Sequence, residues 1–420
     1  MRLHSTLICV LSLTLGIAAL GVTFTTIHAI GNLSRITTAS TNGRNSLYPD
    51  ISADGVRIVF QSDSDLLGQG SSTTEIWLYD TATMTFTRLT SASADNRFST
   101  LPSLDVTGTK VAFISNSDFF GQGTPSNQAE IWLYDLPTMQ LTRVTTASGM
   151  HLLDYPVLSP NGQVVAFESD FDFLGQGVTT HEIWLYNTST MSITRVTTAT
   201  GNGARYSRNP SLNEAGTKVV FRSNNDFLGQ GLPDTLSEIW LYDTTAMTIT
   251  RVTTSENTRS SNHARLSADG SKIVFSSDSD FLNQGIPQGQ YEIWLYDVAA
   301  RSLTRLTVAS ASDRQSAYPH LNDDGTIVVF VSDSDFLGQG IPDDQFEVWL
   351  YDTTTMTYTR ITSGSTSNPD NFMPVVSANG EKIVFSSDAN LLGQANPSNQ
   401  FEIWLYSLFD QPVYLPVILK

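Results

Sequence analysis

Glu75-Ile76-Trp77-Leu78-Tyr79-Asp80 is the stretch on which the reading of this chain turns, because the hexapeptide returns six more times and holds every tryptophan of the 420 residues. The seven are Trp77, Trp132, Trp184, Trp240, Trp294, Trp349 and Trp404, spaced 55, 52, 56, 54, 55 and 55 residues apart within E-I/V-W-L-Y-D/N/S. Such a period belongs to a supersecondary unit that stacks on copies of itself to bury its faces. One large repeat domain over residues 31-408 is therefore expected, although length alone would suggest several domains.

Working outward from the first hexapeptide, the unit begins at Tyr48-Pro49-Asp50-Ile51-Ser52 and turns at Ala53-Asp54-Gly55. It continues through Arg57 to Gln61, the polar segment Ser62 to Gly70, the hexapeptide, and a last run from Thr85. The four short runs are rich in β-branched and aromatic residues and are bounded by turn signals, so they read as strands. Four strands per unit make a propeller blade, which predicts an all-β, seven-bladed β-propeller of four-stranded antiparallel blades.

Each tryptophan but the last is followed 11 residues later by an arginine: Arg88, Arg143, Arg195, Arg251, Arg305 and Arg360. After Trp404 that position is Leu415, whereas Leu33-Ser34-Arg35-Ile36-Thr37 repeats the missing motif at the other end of the chain. The N-terminal strand is thus expected to complete the seventh blade and remove an exposed sheet edge. The spacing also predicts a four-residue turn, Thr81 to Met84, that sets Trp77 opposite Arg88 and Tyr79 opposite Phe86. A Trp-Arg stack in each blade would add about 0.5 to 2 kcal/mol.

The order S-A-D-G-x-x-I-V-F-x-S-D, a polar loop, E-I-W-L-Y-D and T-R-L-T resembles the WD-like β-propeller repeat of the TolB type, from residue 33 to about residue 407. The turn glycines Gly108 and Gly216 keep their place where the residues before them depart from that pattern. TolB itself carries an α/β domain before its propeller, and here the repeat follows the leader directly. The resemblance implies an exported bacterial propeller other than TolB itself, with no ligand specified.

With 23 Lys+Arg against 41 Asp+Glu, the formal charge of -18 opposes nucleic acid and anionic lipid as partners. Residues 1-29, with Arg2 ahead of an apolar run from Thr6 to about Phe24, read as a signal peptide, or as a membrane anchor if left uncleaved. The protein is accordingly expected to be periplasmic, on the cell surface or secreted, and a monomer. Cys9, the sole cysteine, lies in that run, so no disulfide is expected in the exported chain. The apolar tail 409-420 is too short to span a bilayer and reads as a packed or sorting segment.

Nucleophile-elbow and zinc-protease signatures are absent from the sequence, and His151, His181, His263 and His320 fall at different places in their repeats. Paired acids recur in the S-D-S-D segment as Asp63 and Asp65, Asp278 and Asp280, and Asp333 and Asp335. Their spacing before a glycine is a candidate for calcium, although the third ligand position is apolar; capping of backbone amides is the alternative. Repeat lengths vary only in loops expected on one face, which marks that face as a binding surface. Where the repeats disagree at the residue after the inner-strand proline, Asp50, Arg265 and His320 are candidate channel-lining ligand residues.

These features point to a non-catalytic propeller that binds a protein, peptide or glycan, with no cofactor beyond the calcium candidate. The alternative is a propeller hydrolase or lyase with a site at the channel mouth.

Overall fold

A computed structural model describes residues 31-408 apart from 40-42, 71-72, 93-95, 122, 124, 150, 200-204, 257, 312, 364-370 and 394-399. The expected signal segment, with Cys9, and residues 409-420 lie outside the described residues. The described chain forms seven four-stranded antiparallel sheets and no helix. In the first, the strands Ser46–Ile51, Arg57–Ser62, Glu75–Asp80 and Thr85–Arg88 lie side by side in sequence order. The seventh sheet combines Asn371–Val376, Lys382–Ser387 and Glu402–Ser407 with the N-terminal strand Asn32–Arg35, and Arg35 stands opposite Trp404. The propeller and its closure are those expected from the spacing.

The hairpin register also holds: Trp77 opposes Arg88, and Tyr79 opposes Phe86 with ring centroids 4.9 Å apart. On the other side Trp77 opposes Phe60 of the second strand, and both are fully buried. A buried aromatic of this size contributes about 4 to 6 kcal/mol of apolar burial before entropy is counted. Blades share their cores, since Val59 and Ile76 of the first pack with Val111, Phe113 and Trp132 of the second.

The expected stack of arginine on tryptophan is met in two blades, with guanidinium carbons 6.0 Å from the rings in Arg35–Trp404 and Arg143–Trp132. In five blades the tryptophan meets edge-on a phenylalanine that directly follows the second acid of the S-D-S-D segment, as in Phe227–Trp240 at 5.0 Å and 88°. The arginine has a stronger partner. Six arginines pair with the buried glutamate that opens the hexapeptide, at 2.6 Å in Arg305–Glu292 and 3.1 Å in Arg195–Glu182. Each such carboxylate also accepts the hydroxyl of the threonine two residues after the arginine, as Glu238 does from Thr253. That threonine oxygen in turn accepts the isoleucine amide, Ile239 N at 2.9 Å. A formal charge buried in this way is tolerable because every oxygen has a donor.

The Asp-Gly turns bind blade to blade. Lys382 donates from Nζ to the Gly55 carbonyl at 3.0 Å, and Arg57 donates from Nη1 to that of Gly108 at 2.6 Å. Gly55 has φ +68°, and a Cβ there would meet Lys382 Cδ at 2.4 Å, so the turn requires glycine on both counts.

Ser46 opposes Ser62, and Ser62 opposes Glu75. The loops between second and third strands and the connections between blades therefore share one face. The Asp-Gly turns and the hairpin turns share the other.

Candidate functional site: the central channel

Every inner strand carries a bulge. In the first blade pairing runs Leu47 with Gln61 and resumes at Asp50 with Val59, which leaves Tyr48 and Pro49 outside the ladder. The bulged residue takes a left-handed backbone in all seven blades: Tyr48, Leu101, Tyr155, Asn209, His263, Tyr318 and Met373 have φ between 46° and 54°. Such a conformation is strained for large side chains, and here it sets seven side chains of five kinds, three of them tyrosines, around the loop-face end of the channel. The channel they help line has a volume of about 430 Å³.

One step deeper lie the three sequence candidates. Asp50 is half-buried and accepts Ile51 N at 2.9 Å and, from the next blade, Leu104 N at 2.7 Å. The same staple recurs with other acceptors: Ser103 Oγ takes Leu158 N at 3.1 Å, Ser211 Oγ takes Leu266 N at 3.2 Å, and His320 Nδ1 takes Val376 N at 3.5 Å. Asp50 and His320 thus have a bonding role between blades that the sequence did not reveal. Burial pushes the Asp50 carboxyl up to about 6 against the pull of these amides and of Arg265. Burial and the neighbouring Arg265 push His320 down to about 3. Arg265 itself is lowered by burial, opposed by Asp50 and Tyr155, so the structure does bring the three candidates around one space.

His263, in the ring of bulged residues, is held neutral in the same way at about 3. Its ring lies 4.2 Å from that of Tyr318, which lies 4.9 Å from Phe372, and together they form an aromatic wall.

A second asymmetric group lies toward the loop face. Asp154 stands opposite Glu168 in the third blade, and Arg208 opposite Arg222 in the fourth. Burial raises Glu168 to about 7, its bond from Asn209 N (2.8 Å) lowers it, and Asp154 raises it further. Asp154 is also raised by burial. Both guanidiniums pack over Tyr206, at 5.0 and 5.6 Å, and Arg222 donates from Nη1 to Asn262 Oδ1 at 2.6 Å. Asp154, Glu168 and Arg208 went unnoticed in the sequence because only the bulged register shows that they are cross-strand neighbours.

The S-D-S-D acids are engaged by the backbone. Asp280 accepts Gln284 N and Gly285 N, each at 2.7 Å, and Asp65 accepts Gln69 N at 2.8 Å and Gly70 N at 2.6 Å. Asp335 repeats this with Gln339 N and Gly340 N, both at 2.7 Å. The first acid of each pair ties down the incoming strand, Asp63 through Asn45 N at 2.7 Å, Asp278 through Ser260 N at 2.7 Å and Asp333 through Gln315 N at 2.6 Å. Among the described residues no three His, Cys, Asp or Glu side chains converge in a metal-binding group.

No protein-family model and no curated protein matches the chain. Among solved structures it is similar to the oligogalacturonate lyase of Vibrio parahaemolyticus, at 13% identity over 91% of this chain and 98% of that one, with a TM-score of 0.59. It is similar also to the β-propeller domain of the Trilobed protease from Pyrococcus furiosus, at 12% identity over 91% and 100% of the two chains, with a TM-score of 0.56. Putative TolB from Agrobacterium tumefaciens is also matched, at 17% identity over 81% and 98%, with a TM-score of 0.45. At these identities the likeness is one of fold, a β-propeller.

Proposed function

We propose that this chain is an exported, non-catalytic propeller that holds a protein, peptide or glycan partner on its loop-rich face, over the mouth of the channel. The observation that carries this reading is the ring of bulged residues. A backbone strain that recurs seven times presents seven positions occupied by five residue types, from Tyr48 and Leu101 to His263 and Met373, where most of the blade is nearly invariant. Strain kept in a rigid frame suits a surface that displays side chains. The apolar leader supports export.

Leu101 stands naturally at the tyrosine position, so Tyr48→Leu, Tyr155→Leu and Tyr318→Leu together should leave the fold intact. Pull-down from envelope and culture fractions with the full-length protein should recover a partner that this triple variant loses. Equal recovery by both would refute the reading.

A second reading, a hydrolase or lyase, is favoured by Asp154 and Glu168. Two opposed carboxylates with raised pKa beside two arginines are what proton transfer near neutral pH requires. Any hydrolytic or eliminating activity found with the purified protein should then vanish in Glu168→Gln.

A further inference from the structure

The channel contains one strong cation whose donors the fold leaves largely unused. Arg265 is half-buried in the channel wall and makes no ion pair among the described residues; its hydrogen bond is from Nη1 to the adjacent Ala264 carbonyl at 3.2 Å. A guanidinium has five N–H donors, and with one bonded to a carbonyl the others are left to whatever fills the channel. The blade does not need an arginine here, because Val157 and Val375 occupy the same register position in the third and seventh blades. Asp50 influences Arg265 from across the channel, but its two oxygens are already bonded to backbone amides.

His320 and three tyrosines that face this space are donors as well, alongside the carboxylates of Asp50 and Asp323. His320 accepts on Nδ1, so its own proton sits on Nε2. Tyr48, Tyr155 and Tyr318 line the same channel as Arg265. None of the three hydroxyls has a hydrogen-bond partner among the described residues. Beside them stands the wall of His263, Tyr318 and Phe372.

We propose that the channel binds a small organic monoanion, a carboxylate on a flat apolar body, with the carboxylate on Arg265 and the body against Tyr318 and Phe372. The volume of about 430 Å³ admits such a ligand. The formal charge of -18 selects against polyanions, while a single charge paired inside the channel is shielded from most of that field. This inference rests on the reading of the channel as a binding site and deepens it.

Benzoate and its uncharged analogue benzamide are the probes, titrated calorimetrically into the full-length protein and into Arg265→Val. A lost charge-assisted bond corresponds to about tenfold or more in affinity. Benzoate should bind the wild type about tenfold or more tightly than benzamide, and R265V should erase that preference. Equal binding of the two probes, absence of benzoate binding, or a preference that survives in R265V would each overturn the proposal. Should R265V fail to fold, the preference measured on the wild type decides alone. Failure with benzoate while the triple tyrosine variant still loses its partner would sink this inference and leave the proposed function standing.

Discussion

Replacing Arg251 by methionine tests whether the repeated arginine acts on the tryptophan it faces or on the glutamate. Arg251 Nη2 lies 2.8 Å from Glu238 Oε1, and the glutamate side chain is 0% exposed. Removing one partner of a buried pair costs about 3 to 5 kcal/mol when the other is left bare. Glu238 would retain the Thr253 hydroxyl, Ser255 N at 2.6 Å and Ser255 Oγ at 3.0 Å, which moves the expected loss to the lower end, about 3 kcal/mol. Arg88 is the internal control. It faces Trp77 in the same register, but the Glu75 Oε1 position that other blades give to arginine is taken by the Thr73 hydroxyl at 2.9 Å. With no buried charge orphaned, R88M should cost about 1 kcal/mol or less. The difference of about 2 kcal/mol is roughly a 30-fold change in the unfolding equilibrium. Urea unfolding followed by the fluorescence of the buried tryptophans would measure it. Equal losses in R251M and R88M would refute the glutamate account.

Acid should reveal opposing buried groups. His263 and His320, held at about 3 against 6.5 when unfolded, give stability that is full above pH 6.5 and is lost as pH falls toward 3. Asp50 at about 6 against 3.8 and Glu168 at about 7 against 4.5 do the reverse, favouring the fold at low pH and losing that contribution as pH rises through the folded values. From pH 7 to 5 each histidine costs about 2 kcal/mol, while Asp50 returns about 1 and Glu168 about 2, so the wild type should change little. E168Q should lose about 2 kcal/mol more than the wild type over that interval, and parallel curves from denaturation at the two pH values would contradict the assignment. Calcium offers a separate check. With the oxygens of Asp65, Asp280 and Asp335 bonded to loop amides, added calcium or a chelator should leave the unfolding temperature unchanged, whereas a calcium-dependent rise would show that these loops rearrange to take the ion.

Much of the architecture was legible because it is written in spacing. The tryptophan period counts the blades, the 11-residue interval sets the hairpin register, and Leu33 to Thr37 supplies the strand missing after Trp404. The site was less legible, for two physical reasons. Asp50 and His320 looked like free polar groups because their partners, Leu104 N and Val376 N, are 54 and 56 residues away in the next blade. The left-handed backbone at Tyr48 or Tyr318 also has no local signal, since a residue before proline ordinarily prefers extended geometry. The glutamate of the hexapeptide was visible seven times, but its role depends on an arginine and a threonine brought beside it only by the hairpin.

The closing strand has a consequence for the order of assembly. Arg35 and Glu402 are 367 residues apart, and joining the ends of a flexible loop of that length would cost about 5 kcal/mol in chain entropy. Blades that form and stack first bring those ends together as parts of a nearly finished ring, so the cost is met in small, local steps. On that order Asn32–Arg35, the propeller strand earliest in the sequence, would be the last to pair. Until it does, Glu402 lacks Arg35, Thr37 and the Ala39 amide at 2.7 Å, so the final blade stays the weakest until the circle shuts.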